Sequence, residues 1–392
     1  MIKNKFHTIV DLGSSNLRLG VFDENLNKLY FSSKNIIQKN NNEEQFNTIK
    51  FLIKDAEKNI SNHIDNIVVM YDSSEIHSID ISIKKNYDKK ISLNDVYSST
   101  ILELNQLVKN NYVNKKIIHI ISSKIIIDGE ELNKSSYSNI KAKSVILEVK
   151  FFCLPLDKFN QIINIFKKNN LQVLNFFCSS YIKSLSYLET LNNEELVCFL
   201  DIGFERTTLL IFNNLKLIFT SSIPIGGNHI TKDISNVMEL NIDDSENIKK
   251  FFNKSENEFS YNPDEGKNKL LIKEILGKEI SIITLKKVIL ARVEEIFDLI
   301  FKDLIISNYL KKKPNFLLFL IGNGSKLFDK NTFHLSDKYN FKEIIFYKET
   351  ELETLKAGAV SELNLVKGDT KIIQKSVKKY GFFEKFFNFF GK

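Results

Sequence analysis

The 392-residue chain is 43% hydrophobic and 26% charged, with 55 Lys+Arg against 48 Asp+Glu and a formal net charge of +7. That balance excludes a disordered or fibrous chain and leaves room for two or three domains with a sizeable core. Lys, Ile and Asn are spread along the whole chain rather than gathered into one basic patch, so the positive balance points to no nucleic-acid partner.

Cys153, Cys178 and Cys198 sit among apolar neighbours with no CxxC or Cys/His spacing, and read as buried, reduced thiols. The opening MIKNKFHTIVDLG has a basic start, but its apolar run breaks at Asp11, too early for a signal peptide or a membrane span. The bulk of the chain is therefore expected in the cytoplasm.

Residues 8–22, TIVDLGSSNLRLGVF, read as a short apolar strand, a tight turn through Asp11-Leu12-Gly13-Ser14-Ser15-Asn16, and a returning strand. Glycine lets backbone approach a phosphate, successive N–H groups line such a turn, and Ser14 and Ser15 add hydroxyl donors. Asp11, at the strand end, is placed to hold Mg²⁺ through water. Residues 86–170 then carry a pattern of their own, a small α+β unit. It has a helix over 93–110, strands over 116–128 and 143–155, a turn at Asp128-Gly129, and a helix over 156–170.

The first hairpin's grammar returns in LVCFLDIGFERTTLLIF (196–212), with Asp201, Gly203, Thr207 and Thr208 at the turn. Such a repeat predicts a duplicated domain whose two hairpins grip a nucleotide's phosphates. Phe204, Glu205 and Arg206 stand between Gly203 and Thr207, so bulky side chains crowd this turn and Arg206 is the candidate to replace lost backbone donors. In SSIPIGGNHITKDIS (221–235), Gly226 and Gly227 precede a helix beginning near Ile230 that would aim unpaired N–H groups at an anion. The segment 236–304 ends in a helix with Val288, Ile289, Val293, Ile296, Phe297 and Ile300 in a stripe that reads as core packing. NFLLFLIGNGSKLF (315–328) runs an apolar strand into Gly322-Asn323-Gly324-Ser325, a bend where an adenosine can lie against bare backbone.

From Ala359 onward periodic structure is expected to fade into a linker, and the chain closes on KKYGFFEKFFNFFGK. On a helix at about 100° per residue, Tyr380, Phe382, Phe383, Phe386, Phe387, Phe389 and Phe390 fall on one half and the glycines and polar residues on the other. Spanning a bilayer takes about 20 apolar residues, so this stretch is expected to lie in the interface with its lysines toward anionic head groups.

Taken together, Asp11-Leu12-Gly13-Ser14-Ser15, Asp201-Ile202-Gly203 with Thr207-Thr208, Pro224-Ile225-Gly226-Gly227 with Ile230-Thr231-Lys232-Asp233-Ile234, and Ile321-Gly322-Asn323-Gly324-Ser325 resemble known motifs. They are similar to the phosphate-1, phosphate-2, linking and adenosine motifs of the actin/Hsp70/sugar-kinase ATPases. Within that superfamily the chain most resembles the bacterial cell-division family FtsA, through ITKDI and ARVEEIFDLI (291–300) in particular and over essentially its whole length. It departs from FtsA relatives in the crowded phosphate-2 turn and in Asn323, which replaces a usual glycine. The Gly-Met turn that normally follows the Asp-Gly motif of the 1C domain is also absent from NKSSYSNIKAKS.

The resemblance implies an α/β architecture: a duplicated actin-like (RNase H-like) ATPase fold with an FtsA-type 1C insertion and a C-terminal amphipathic helix. Subdomain 1A takes residues 1–85 with 171–195 and about 345–365, 1C takes 86–170, 2A takes 196–235 with about 305–344, and 2B takes 236–304. A linker at 366–376 and the amphipathic helix at 377–392 complete this map. ATP and Mg are the implied cofactors, with Asp11 and Asp201 organising the metal and water. Gly13, Ser14, Ser15, Asn16, Gly203, Arg206, Thr207, Thr208, Gly226, Gly227, Gly322, Asn323, Gly324 and Ser325 would surround the nucleotide. Hydrolysis is expected to be slow at most, and no side chain stands out as its base.

The implied partners are the FtsZ C-terminal peptide at 2B, where Arg292 and nearby lysines suit an acidic peptide, further copies of the chain in a filament, and later division proteins through 1C. The tail would place the assembly on the cytoplasmic face of the membrane at the division site. Two rivals remain open, an FtsA-like adaptor of type IV pilus assembly and a small-molecule kinase on the same fold. The tail reading predicts that Phe386→Glu with Phe387→Glu releases the full-length chain from anionic liposomes, since each phenylalanine is worth at most about 1.5–3 kcal/mol of burial. A truncation after residue 376 that sediments with liposomes as well as the intact chain would overturn it.

Overall fold

The computed structural model describes residues 6–36, 42–132, 140–188, 191, 196–254, 281–302, 316–327, 339, 341–347 and 349–366. The tail residues Tyr380, Phe382, Phe383, Phe386, Phe387, Phe389 and Phe390, and the linker at 367–376, lie outside them. The chain divides into two compact units. The first takes the described residues of Met1–Glu195, Leu210–Thr220 and Thr350–Lys392, and the second those of Leu196–Leu209 and Ser221–Glu349.

In the first unit, β1 (Phe6–Leu12), β2 (Asn16–Asp23) and β3 (Lys28–Asn35) form an antiparallel meander. Helix α1 (Asn42–Ile60) leads to β4 (Asn66–Tyr71), which joins β1 in parallel. After the inserted sheet, β9 (Gln172–Cys178) adds a further parallel strand, and the order is β3-β2-β1-β4-β9. Buried Val10, Leu17, Leu19 and Val69 pack with Ile49, Leu52 and Phe166 into one core.

The insertion is an antiparallel sheet of order β5-β8-β6-β7, made by β5 (His77–Ser92), β6 (Lys115–Ile127), β7 (Glu130–Glu131) and β8 (Lys141–Pro155). Helix α2 (Leu93–Asn111) seats Leu93, Val96, Leu104 and Val108 in a core with Val145, Leu147 and Phe151. The sheet thus begins at His77, nine residues ahead of the expected boundary at 86, because His77↔Cys153 already pairs in the β5/β8 ladder. Helix α3 (Leu156–Lys168), expected to belong to the insertion, buries Ile162, Ile165 and Phe166 in the core of the main sheet instead. The turn at Asp128 and Gly129 has φ of 49° and 96°, and Asp128 Oδ1 accepts from the N–H groups of Lys143 and Ser144.

Periodic structure does not fade at Ala359. Following α4 (Ser179–Leu188) in space, a helix over Glu351–Val366 continues past it with Ala357, Ala359, Val360 and Leu363 buried. Its small residues weaken the sequence periodicity, yet they are what lets it press onto the sheet. A Cβ on Gly358 would meet Met70 Sδ at 2.6 Å and Ile9 Cγ2 at 2.9 Å.

The repeat is a second sheet, most of it in the second unit, with its Leu210–Thr220 stretch grouped with the first. β10 (Leu196–Ile202), β11 (Thr207–Asn213), β12 (Lys216–Ile223), β13 (Phe316–Ile321) and β14 (Phe341–Phe346) form a sheet of order β12-β11-β10-β13-β14. β10, β13 and β14 run parallel, so this order and these parallel pairings repeat the first sheet. Helices α5 (Gly227–Met238), α6 (Ile242–Lys254) and α7 (Ile282–Phe301) follow the same unit, and the earlier helix at Glu351–Val366 becomes α8. The stripe on α7 is core, with Ile289, Val293, Ile296, Phe297 and Ile300 all buried and Val288 half-buried. The three cysteines are buried thiols, and burial pushes the Cys153 thiol up to about 11 against the pull of Lys115.

Gly358→Val is expected to cost about 1–3 kcal/mol by overpacking α8 against β1 and β4. Urea denaturation followed by circular dichroism checks it, and an unchanged midpoint would contradict the packing.

Candidate functional site

Each sheet ends its central strand on a buried carboxylate followed by a glycine turn. In the first unit the β1/β2 register sets Asp11 opposite Arg18 and Leu12 opposite Leu17. The pairing puts the Arg18 guanidinium against the turn: Nη1 donates to Asp11 Oδ2 at 2.6 Å and Nε to Glu351 Oε1 at 2.9 Å. Ser179 Oγ, from the start of α4, donates to Asp11 Oδ1 at 2.9 Å, and Asn16 Nδ2 donates to Glu351 Oε1 at 3.3 Å. Burial works against the Arg18 charge, but Asp11 and Glu351 outweigh it and hold its pKa above the ordinary value. The same pairing, after its own burial penalty, leaves Glu351 below the usual carboxylate range.

Gly13 is required by its own turn, since a Cβ there would lie 2.7 Å from Asn16 O and 3.5 Å from Arg18 Nη1. Beside it a cavity of about 230 Å³ is lined by Gly13, Ser14, Tyr71, Asp72, Lys158 and Gln161 among others. Lys158 is a cation near the turn that nothing in the local sequence around residues 11–18 could announce.

In the second unit Gly203 N–H donates to Arg206 O at 2.8 Å, closing the turn over Phe204 and Glu205. Arg206 Nη1 donates to Thr208 Oγ1 at 2.5 Å, and Nη2 lies 3.4 Å from Asp201 Oδ2. Thr207 Oγ1 is spent on Ile225 O at 2.7 Å. The expectation for Gly226 and Gly227 needs correction. The helix begins at Gly227, and its first N–H groups are not left for an anion: Gly227 N donates to Gly203 O at 2.9 Å and Asn228 N to Phe204 O at 2.6 Å. Gly226 is demanded by that clasp, because a Cβ would sit 2.5 Å from Gly203 O.

The bend at Gly322 packs on the same turn. Gly322 has φ of 85°, its N–H donates to Glu349 Oε2 at 3.1 Å, and Ser325 Oγ donates back to Gly322 O at 2.7 Å. Asn323–Leu327 form a 3-10 turn. The bare faces of Gly322 and Gly324 meet β10 itself, since added Cβ atoms would approach Ile202 O at 2.6 and 2.8 Å.

Sequence reasoning missed a second cation here. Lys249 on α6 is buried, donating to Gly227 O at 2.9 Å, Thr231 Oγ1 at 2.6 Å and Glu246 Oε2 at 2.5 Å, with the Phe204 ring 5.8 Å away. Burial lowers the Lys249 pKa against the pull of Glu246; Glu246 is lowered in turn, Lys249 overcoming its burial. Only the i,i+3 spacing of Glu246 and Lys249 was visible beforehand. Arg292, expected to await an acidic peptide, already grips Asp233 through Nε at 2.6 Å and Nη2 at 2.8 Å, and Nη1 donates to Glu295 Oε2 at 2.5 Å.

Both Asp11 oxygens accept protein hydrogen bonds, and Asp201 is flanked by Arg206 and Gly322. A carboxylate offers about four lone-pair sites, so Asp11 and Asp201 keep positions through which the water shell of a Mg²⁺ would be held beside their arginines. Among the described residues no group of three or more His, Cys, Asp or Glu side chains is placed to hold a metal, and no helix is long and apolar enough to cross a membrane.

Two family models match the chain. One described as cell division protein FtsA matches residues 198–364, and one described as type IV pilus assembly protein PilM matches residues 33–261, more than half of the chain. FtsA of Neisseria meningitidis serogroup B is 30% identical over 135 residues, covering 33% of this chain and 31% of that one. FtsA of Bacillus subtilis is 43% identical over 54 residues, covering 14% and 12%. The matched stretches thus span a third or less of these relatives' own lengths. Among solved structures, a chain of the PilM-PilN type IV pilus biogenesis complex aligns with TM-score 0.59 at 13% identity, covering 96% of this chain and 99% of that one. MreB5 of Spiroplasma citri, bound to AMPPNP, aligns with TM-score 0.50 at 12% identity, covering 94% and 98%. At these identities the two structures establish the fold alone.

Lys249→Met strands the Glu246 carboxylate and is expected to cost about 3 kcal/mol, the lower end for a broken buried pair because Glu246 partly reaches solvent. Glu246 has a depressed pKa, so its contribution is present above its ordinary 4.5 and is lost as pH falls through the folded value. Urea titrations of both proteins between neutral and acid pH check this: the difference should shrink toward acid, and a pH-independent difference would contradict the pairing.

Proposed function

We propose that the chain, which belongs to the family whose model is described as type IV pilus assembly protein PilM and also matches the FtsA model over residues 198–364, is an ATP-binding, filament-forming adaptor of the FtsA kind. The observation that carries the nucleotide reading is the duplication. Two sheets of matching strand order each end their central strand on a buried aspartate and a glycine turn, and each turn carries hydroxyl and guanidinium donors. A triphosphate meets such a turn with three or more anionic oxygens, which charge-assisted donors bind more strongly than neutral ones. The AMPPNP named with Spiroplasma citri MreB5 is consistent with this use of the fold.

In this reading Ser14, Ser15 and Asn16 act on one phosphate group and Arg206 and Thr208 on another, with Gly322, Asn323, Gly324 and Ser325 shaping the place of the adenosine. Hydrolysis is slow, because Phe204, Glu205 and Arg206 fill a turn that would otherwise expose backbone donors to the reacting group. The tail attaches the chain peripherally to the cytoplasmic face of the membrane at the division site. Polymerisation then multiplies many weak tails into firm attachment. FtsZ is captured by its C-terminal peptide through the α6–α7 region, and later division proteins are met through the inserted sheet.

The pilus-assembly reading is the second, favoured by the longer PilM match. The FtsA reading rests on the sequence identity to two FtsA proteins and on the phenylalanine-dense tail. Co-sedimentation with the FtsZ C-terminal peptide separates them, because an adaptor of pilus assembly has no use for that peptide. A small-molecule kinase would instead transfer phosphate to a sugar or acid in a substrate panel.

Ser14→Ala with Ser15→Ala is expected to weaken ATP binding roughly tenfold, two donors at about 0.5–1.5 kcal/mol each. Calorimetry checks it, and unchanged affinity would remove these residues from the site. Steady-state phosphate release should fall below the enzyme range of about 1–10³ per second.

A further inference from the structure

A second cavity in the first unit, of about 430 Å³, shares no residue with the one beside Gly13. β6 forms one wall, β9 and α4 the other, and Ser361 and Leu365 near the end of α8 also line it. A further cavity of about 470 Å³ continues it past Phe159, Ile163 and Val173 to Leu171. Both strands meet this groove with an edge that no other described strand pairs. β9 closes the order of the main sheet, and β6 has β8 on one side and β7 only at Ile126 and Ile127 on the other.

The groove is apolar and its floor uncharged. His119 Nε2 accepts from the Cys178 N–H at 2.9 Å, the ring stacks on Phe177, and burial lowers its pKa to about 3. Tyr181 beside it keeps a buried hydroxyl with no hydrogen-bond partner. Leu174 on β9 is 48% exposed, and Lys116 holds its ammonium 5.1 Å over the Phe159 ring, so even the cation at the rim takes an aromatic face. An apolar groove of this size is the form that binding sites take.

The chain beyond α8 identifies the occupant. α8 ends at Val366, one residue after Leu365 of the groove wall. Residues 367–376 reach at most about 35 Å from there. Phe382, Phe383, Phe386, Phe387, Phe389 and Phe390 then follow. A segment joined through so short a connection meets the groove at an effective concentration on the order of millimolar, well ahead of a free partner. Its rings match walls built from Phe159, Phe176 and Phe177.

Resting on the membrane reading of the tail for what releases it, we propose that the segment from Phe382 to Phe390 of this same chain seats in the β6–β9 groove when no membrane is present. The same rings cannot lie in the groove and in a bilayer at once. The groove therefore holds the tail back, and a lipid surface draws it out.

The chain contains no tryptophan, so Phe386→Trp in the full-length protein supplies a single fluorescent reporter. Without lipid its emission is expected to be blue-shifted and shielded from acrylamide at every protein concentration. Leu174→Glu, at an exposed position of the groove, should shift that emission to the red and open it to acrylamide, and Leu365→Glu should do the same if the first variant lacks a cooperative thermal transition. Freed of its competitor, the Leu174→Glu protein should bind vesicles of phosphatidylglycerol and phosphatidylcholine about threefold or more tightly than the protein with an intact groove. Solvent-exposed emission without lipid overturns the proposal and leaves the groove to a separate partner. Emission that ignores both groove substitutions also overturns it, and a blue shift that grows with protein concentration replaces it with the tail of a second copy. Failure of the wild type to bind vesicles overturns the membrane reading alone, since the lipid-free emission decides the docking independently.

Discussion

A carboxylate buried at the end of an apolar strand must be matched, because an uncompensated charge there would cost several kcal/mol. That constraint operates twice in this chain. Asp11 is the penultimate residue of β1 and Asp201 of β10, and the residues just before each are buried. In the first unit the answer recruits Arg18 from the returning strand and Ser179 from α4, and Glu351 from the start of α8 then balances Arg18. One buried charge thus ties the hairpin to two helices far away in sequence.

In the second unit the match is more local and the surrounding packing tighter. Arg206 shares its guanidinium between Asp201 and Thr208, while the carbonyls of Gly203 and Phe204 accept the first N–H groups of α5. Gly226, Gly322 and Gly324 all press bare backbone onto this turn. Glycine is needed at these positions first because the protein's own elements approach so closely, and any ligand is met by a turn already rigid. Lys249 completes the arrangement by crossing under Gly227 to Glu246.

The inserted sheet shows how an independent core is grafted without disturbing the first unit. Its cluster around Val145, Leu147, Val149 and Phe151 is distinct from the cluster around Leu17 and Phe166. β8 carries both, since Leu154 at its far end belongs to the main core. The duplicated sheets are thus held by one kind of solution to one electrostatic problem, applied twice.

The sequence by itself determined the two hairpins, their aspartates and glycines, the duplication, the helices α2 and α7 and the buried cysteines, because strand alternation, turn residues and helical stripes are local signals. The Asp11–Arg18 pair, by contrast, came from the β1/β2 register that the structure sets. Only the tertiary structure decided where the inserted sheet begins, because the Ile79, Ile81 and Ile83 alternation of β5 says strand without saying which sheet. Only it decided that α8 continues past Ala359, where Gly358 gains its meaning from Met70 and Ile9. The N–H groups of Gly227 and Asn228, the guanidinium of Arg292 and the ammonium of Lys249 all found partners that no local window contains. Hydrogen bonds and ion pairs are satisfied by whatever the fold brings near, and sequence distance carries no record of that proximity.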